Sequence, residues 1–233
     1  MGGTQLPLEV FLMGLILVAA PYFITNNIAE ARGVTVLDPE MGFDRDIPVI
    51  YWTILPYALL YLFYPVTLLV FPRDDRGRAQ LIAGMQGLIT VTAFCCLIFL
   101  LLPAEIDMRD QIDWAAMNVW ETALFEFIHA SDNPWNAWPS LHIVHSYLLA
   151  RMMTYWTLRK EGNALPWTAF RLVLWIEWSL LCISIMTTKQ HFAFDLLAGI
   201  IVAQFAWMAT KPILDEIEEM GPSAFAEKCG WTD

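Results

Sequence analysis

The chain has 233 residues, 58% hydrophobic and only 16% charged, with a mean hydropathy of +0.50 and a formal net charge of −11. A soluble domain carries about 25% charged residues, so composition argues against one, and the acidic balance argues against nucleic acid as a partner. Charge-poor runs of about 20 residues, the length that crosses a bilayer core, recur along the chain. Together these predict an all-α, multi-pass membrane protein embedded in a lipid bilayer, with no separate soluble domain.

In chain order, the first span covers about residues 6–25. Its start carries no Lys or Arg, which fits a retained helix better than a secretory signal. A polar loop over 26–47 follows. The second span is about 48–71, with Pro48 suited to a helix start and Pro56 to a kink. A short charged loop, 72–78, leads to the third span at about 80–102, ended by Pro103. The long connection 104–139 contains an amphipathic stretch, 113–129, in which Met117, Trp120, Leu124, Phe127 and Ile128 recur at helical spacing against Asn118, Thr122 and Glu126. This predicts an interfacial helix lying across the mouth of the bundle. The fourth, fifth and sixth spans are about 140–157, 166–188 and 192–210. Residues 1–210 thus form one six-span unit, and 211–233 an acidic cytoplasmic tail with a short helix near 213–220. Cys95, Cys96 and Cys182 lie in apolar runs and Cys229 in the tail, a pattern that suggests no disulfide or metal framework.

Six spans make orientation readable from Lys and Arg. Arg73, Arg76, Arg78, Arg151, Arg159, Lys160, Arg171, Lys211 and Lys228 fall towards one side, against Arg32, Arg45, Arg109 and Lys189 on the other. Both termini are therefore expected in the cytoplasm. All four histidines (His129, His142, His145 and His191) then cluster at the periplasmic or lumenal face.

The chemistry-bearing residues sit at two span starts on that face. Residues four apart share a helix face, so His191 and Asp195 can touch. A carboxylate one turn inside the membrane is costly unless paired, and pairing would fix the imidazole tautomer and leave its other nitrogen free as a nucleophile. His142, in the first turn of the fourth span, can act as an acid. Ser140 and the amides of that helix start can bind an anion, with Lys189 adding positive charge. His145 shares a face with His142 and is expected to pack behind it, and His129 to be interfacial. His142, His145, His191 and Asp195 are also of metal-ligating type, but the His191–Asp195 pairing accounts for them better, and no metal or cofactor is expected. Arg151 and Glu177 lie at equal depth, about 16 Å below the outer helix ends, and are expected to form a buried structural ion pair.

Pro139-Ser140-Leu141-His142, followed by Ser184 and Lys189-Gln190-His191-Phe192-Ala193-Phe194-Asp195 with Gly199 beyond, resembles the type-2 phosphatidic acid phosphatase superfamily. The likeness is to the branch with PSLH in place of PSGH, which includes inositol phosphorylceramide synthases and bacterial lipid phosphatases, and it covers the six-span layout. It implies that His191 is the nucleophile forming a phosphohistidine, Asp195 its orienting partner, His142 the acid to the leaving oxygen, and Ser140 and Ser184 phosphate-binding. Two departures stand out. Ile185 replaces the usual Arg after Ser184, so Lys189 is expected to supply charge. The first Lys/Arg-Pro motif is absent, and Arg109, with Arg45 behind it, is the expected substitute. The function so implied is a membrane lipid phosphate phosphatase acting at the outer leaflet. Transfer of the phosphoryl group to a hydroxyl acceptor, as in sphingolipid synthesis, is the alternative. A transporter or metal-binding membrane protein is a more remote reading, for which neither an inverted repeat nor a broken-helix pair is visible. The sequence leaves the oligomeric state open.

Overall fold

A computed structural model describes residues 5–160, 162 and 164–230. Five helices are long and apolar enough to cross a membrane: α1 (Leu6–Arg32, with a π-helical turn over Leu15–Ala19), α2 (Ile54–Val70, after a 3-10 turn at Tyr51–Thr53), α3 (Asp75–Leu101), α6 (Ala164–Thr187) and α7 (Ala193–Met220). Between them lie α4 (Val119–Ser131) and α5 (Leu141–Leu158), and α8 (Pro222–Lys228) follows. Among the described residues no strand forms.

The fourth expected span is the exception, and its reason is physical. Helix α5 has 18 residues but carries His142, His145 and Arg151, so its hydropathy is low. It is the central helix: fourteen of its residues are buried, and α2, α3, α6 and α7 pack around it. A helix wrapped by protein has no lipid to satisfy, so its polar residues mark the interior of the bundle.

Several helix ends differ from the expected ones. Helix α1 runs on to Arg32, where Gly33 takes a left-handed conformation (φ 58°) as its cap. Asn26 lies within this extension because its amide is buried, donating to Asp132 Oδ1 and to the Asn133 carbonyl at 2.9 Å each. Pro48 precedes the helix, and Pro56 falls in the first turn of α2, where a missing N–H costs no hydrogen bond. The charged loop after α2 is mostly helix, since Asp74 caps α3 by accepting from the Gly77 N–H at 2.7 Å. Helix α4 begins at Val119, not 113, because Asn118 and Glu121 form a reciprocal capping box. Residues 211–220 continue α7 without a break. Leu214 and Ile217 are buried in the core, so the apolar stripe of the acidic tail belongs to the bundle.

The expected Arg151–Glu177 ion pair does not form. Arg151 turns towards α7, with its guanidinium 5.0 Å from the Trp207 ring centroid and 5.7 Å from that of Tyr147. Glu177 Oε1 is buried without a hydrogen-bond partner. Equal depth fixed how far each lies along its helix but not the direction each faces.

Candidate active site

The two helix starts that carry the motif residues are held together by backbone. The Ser140 N–H donates to the Asp195 carbonyl at 3.2 Å. A Cβ on Gly199, one turn further along α7, would lie 3.0 Å from both the Ser140 carbonyl oxygen and Ile143 Cβ. Glycine at 199 therefore sets how closely α7 can approach α5, and with it the distance between the two histidines.

The turn before His191 explains its spacing from Ser184. Helix α6 ends in a Schellman motif: the Gln190 N–H donates to the Ile185 carbonyl and the Lys189 N–H to the Met186 carbonyl, both at 3.1 Å. Lys189 occupies the left-handed position usually given to glycine (φ 58°). The His191 N–H also donates to the Ile185 carbonyl at 2.9 Å. The cap thus delivers His191 directly onto the start of α7.

His191, Asp195, Ser140 and His142 converge there, all buried. His191 Nδ1 lies 3.1 Å from Asp195 Oδ2, which also accepts from the Phe192 N–H at 2.9 Å. With its Nδ1 proton held by the carboxylate, His191 presents the Nε2 lone pair. That nitrogen faces Ser140 Oγ at 3.2 Å and His142 Nδ1 at 3.1 Å. The hydroxyl of Ser140 is turned to His191 and does not cap its own helix, so the first amides of α5 lack a side-chain cap.

His142 has a second set of partners that sequence reasoning missed. Its Nε2 is 3.1 Å from the Tyr57 hydroxyl and 3.9 Å from Asp132 Oδ2. Asp132 Oδ1 accepts from Tyr22 at 2.6 Å and from Asn26 at 2.9 Å. Burial pushes the Asp132 carboxyl above its usual range, while the hydrogen bond from Tyr22 and the nearby His191 and Arg109 pull it down. Each histidine therefore turns one nitrogen to the other and has a carboxylate near its far nitrogen: Asp195 in contact with His191, Asp132 at longer range from His142. Asp132, Tyr22 and Tyr57 carry no motif; only the fold brings them in.

The expected cations divide. Arg109 is half-buried beside the site, donating from Nη2 to the Asp132 carbonyl (2.8 Å) and to Gln190 Oε1 (3.0 Å), while its buried Nε has no partner. Gln190 in turn donates to His129 Nε2 at 2.9 Å, so His129 props the residue that props Arg109. Lys189 does not reach the histidines: its amine donates to the Asp44 carbonyl at 2.9 Å. Arg45 is tied to Glu40 and Asp107, at 2.7 and 2.8 Å, on the exposed side. The Ser184 hydroxyl donates to the Leu181 carbonyl in its own helix. Asp44, another residue without a motif, also accepts the Ala193 N–H at 2.8 Å and so fixes the start of α7.

His145 is enclosed. Thr92 Oγ1 donates to the Leu88 carbonyl (2.7 Å), and its oxygen meets His145 Nε2 at 2.8 Å, while the Tyr64 hydroxyl meets Nδ1 at 2.7 Å. This network places a proton on Nε2 and leaves neither ring nitrogen free.

Long apolar helices around a buried pair of histidines, each with a nearby carboxylate, define a multi-pass membrane protein with a site suited to nucleophilic and acid–base work. A family profile described as the PAP2 superfamily matches residues 42–209. The chain belongs to that superfamily, whose members are generally phosphatase- or phosphotransferase-type enzymes. No curated protein matches the chain significantly.

Proposed function

We propose that the protein is a lipid phosphate phosphatase working through a phosphohistidine on His191. The observation that carries this is the His191 ring itself: Nδ1 is held by Asp195 and the free Nε2 faces the acid-bearing nitrogen of His142 at 3.1 Å. In the first step Nε2 attacks phosphorus, the bond from phosphorus to the lipid oxygen breaks, and that oxygen takes the proton from His142 Nδ1. In the second, His142 removes a proton from water as it attacks phosphorus, the phosphorus–nitrogen bond breaks, and phosphate leaves. Ser140 Oγ and the first amides of α5, which no side chain caps, donate to the phosphoryl oxygens, and the unpartnered Nε of Arg109 adds charge.

In this reading α5 is a sixth span and α4 lies in the interface. Helix α4 supports that placement: Phe125 and Ile128 are buried, while Val119, Trp120 and Phe127 are exposed on its other side. The distribution of Lys and Arg supports cytoplasmic termini and a site on the periplasmic or lumenal side.

Purified protein incubated with a panel of lipid phosphates, with and without alcohol acceptors, tests the proposal through two products, free phosphate and a new phosphate monoester of the acceptor. Free phosphate as the main product, vanadate inhibition and an acid-labile phosphoenzyme are expected. A phosphate monoester of the acceptor as the main product would instead make the enzyme a phosphotransferase. Full turnover by His191→Ala would refute the central assignment.

A further inference from the structure

A cavity of about 470 Å³ lies between α1, α2, α3 and α5. Its walls are almost wholly apolar, with Val10, Val18, Leu60, Leu88 and Leu149 among them. The two ends differ in kind. One end is Asp132, His142 and Tyr22; the other is closed by Leu81, Gly84 and Met152. Along α5 the lining runs from Leu141 to Met152, a depth of about 16 Å at the helical rise. That is about half of a bilayer's hydrocarbon core of about 30 Å, the thickness of a single leaflet. The long side is not sealed: Phe11, Leu15, Phe23 and Tyr61 line the cavity and are each more than 40% exposed. His145 stands in the wall without polarising it, because both its nitrogens are already bonded.

The cavity also meets the active site on one side only. His142 and Asp132 line it, while His191, Ser140 and Asp195 do not. We propose that it holds one acyl chain of the substrate lipid, entering sideways past α1, and so presents the lipid as the leaving alcohol at His142. This rests on the phosphohistidine reading above and adds to it a substrate orientation and a chain-length limit. A lipid bound this way carries its chain on the oxygen that His142 protonates, which leaves the side of attack to His191. Helix α1 lies outside the segment that the family profile matches, residues 42–209, so this chain-holding wall is built by the part of the sequence that the family pattern does not describe. Transfer of a chain from bilayer to cavity exchanges one apolar surrounding for another. The expected signature is therefore a length cut-off at the Met152 floor, not a steady gain per methylene.

The test uses hexyl, dodecyl and hexadecyl phosphate with the full-length protein in nanodiscs. Gly14 lines the cavity from α1, and a Cβ there meets only Met85 Cε, at 3.3 Å, so a Phe at this position projects into the chain path. Gly14→Phe is expected to lower the dodecyl-to-hexyl ratio of kcat/KM at least about tenfold. Ile16→Phe, on the lipid-facing side of the same helix and 66% exposed, leaves that ratio unchanged. An unchanged ratio in Gly14→Phe, or equal shifts in both variants, overturns the proposal. A second measurement is independent of turnover: dodecyl phosphate bearing a terminal diazirine is photolysed with the His191→Ala protein. Labelling of Leu149, Met152 or Leu81 supports the cavity even if the phosphohistidine reading fails. Labelling confined to outward-facing residues such as Ile16 or Leu69 overturns it.

Discussion

Asp132 is the residue whose replacement most directly tests the division of labour between the two histidines. Asp132→Asn keeps the side-chain shape and an oxygen for Tyr22 and Asn26 but removes the negative charge 3.9 Å from His142 Nε2. At that distance, in an effective dielectric near 20, a pair of unit charges interacts by about 4 kcal/mol, equivalent to about three decades in rate. Tyr22 and Asn26 both donate to the same carboxylate and draw charge away from His142, so about one to two decades is the expected loss. The loss belongs to the protonated form of His142, and therefore only to leaving groups that need a proton. With an alkyl phosphate kcat should fall about 10- to 100-fold, within the range of general-acid contributions. With an aryl phosphate such as p-nitrophenyl phosphate, whose leaving oxygen departs as the anion, it should change by less than about threefold. Free phosphate released from both substrates by the same preparation is the assay. An equal fall on both would show that Asp132 merely holds the fold and would refute the reasoning.

Three further outcomes follow from the geometry. Gly199→Val places branched carbon where even a Cβ meets Ser140 and Ile143 at 3.0 Å; it should separate α5 from α7 and cut activity more than about 100-fold, with helicity by circular dichroism retained and Gly199→Ala intermediate. At the left-handed Lys189, Lys189→Gly loses the amine but relieves the backbone, whereas Lys189→Ala loses the amine and keeps the strain. Gly should therefore be the more stable replacement by about 1 kcal/mol in thermal unfolding, and the reverse order would contradict the cap assignment. His129 is pushed down to about 4 by burial and by Arg109, below its unfolded value of about 6.5. Its contribution to stability is thus complete above about pH 6.5 and is lost as the pH falls to about 4, by at most about 3 kcal/mol. Melting curves of His129→Leu between pH 7 and 4 should lack that component.

The sequence was most legible where one residue's chemistry was tied to another's by helical spacing. His191 and Asp195, four apart, touch, and Ser140 and His142 stand beside them because their helix start is bonded to the start of α7. Hydropathy marks five of the helices strongly and α5 only weakly, since a central helix is selected for what it packs against. Helix ends shifted wherever a side chain found a distant partner, as Asn26 did with Asp132 across 106 positions. For the same reason Asp132, Tyr22 and Tyr57 escaped notice: each reaches His142 from another helix or loop, directly or through Asp132, and no local pattern connects them. The choice of cations was mixed. Proximity in sequence placed Lys189 near His191, but the left-handed turn sends its amine to Asp44 instead, while Arg109, 82 positions before His191, lies beside the site.

Charge balance makes sense of this unusual set. Beside its histidines the site holds two carboxylates, Asp132 and Asp195, with Asp44 capping α7 nearby, and in the proposed reaction it must admit a phosphate that is itself an anion. Both carboxylates lie behind imidazoles, so each histidine comes between its acid and the space the phosphoryl group would occupy. On that side stand the start of α5, equivalent to about half a positive charge, and Arg109 with one N–H unclaimed. In a site without the cations of the first family motif, the proton that the proposed reaction needs on His142 would supply the remaining positive charge. A carboxylate 3.9 Å from that histidine, held by Tyr22 and Asn26, would stabilise the charge when the proposed reaction places a proton there. On this view Asp132 replaces part of what the missing motif would provide, by stabilising charge on the acid and not by touching phosphate. The N-terminal helix is then needed twice, as the grip on Asp132 and as a wall of the chain cavity. Both uses concern the leaving lipid, and both lie on the His142 side of the site.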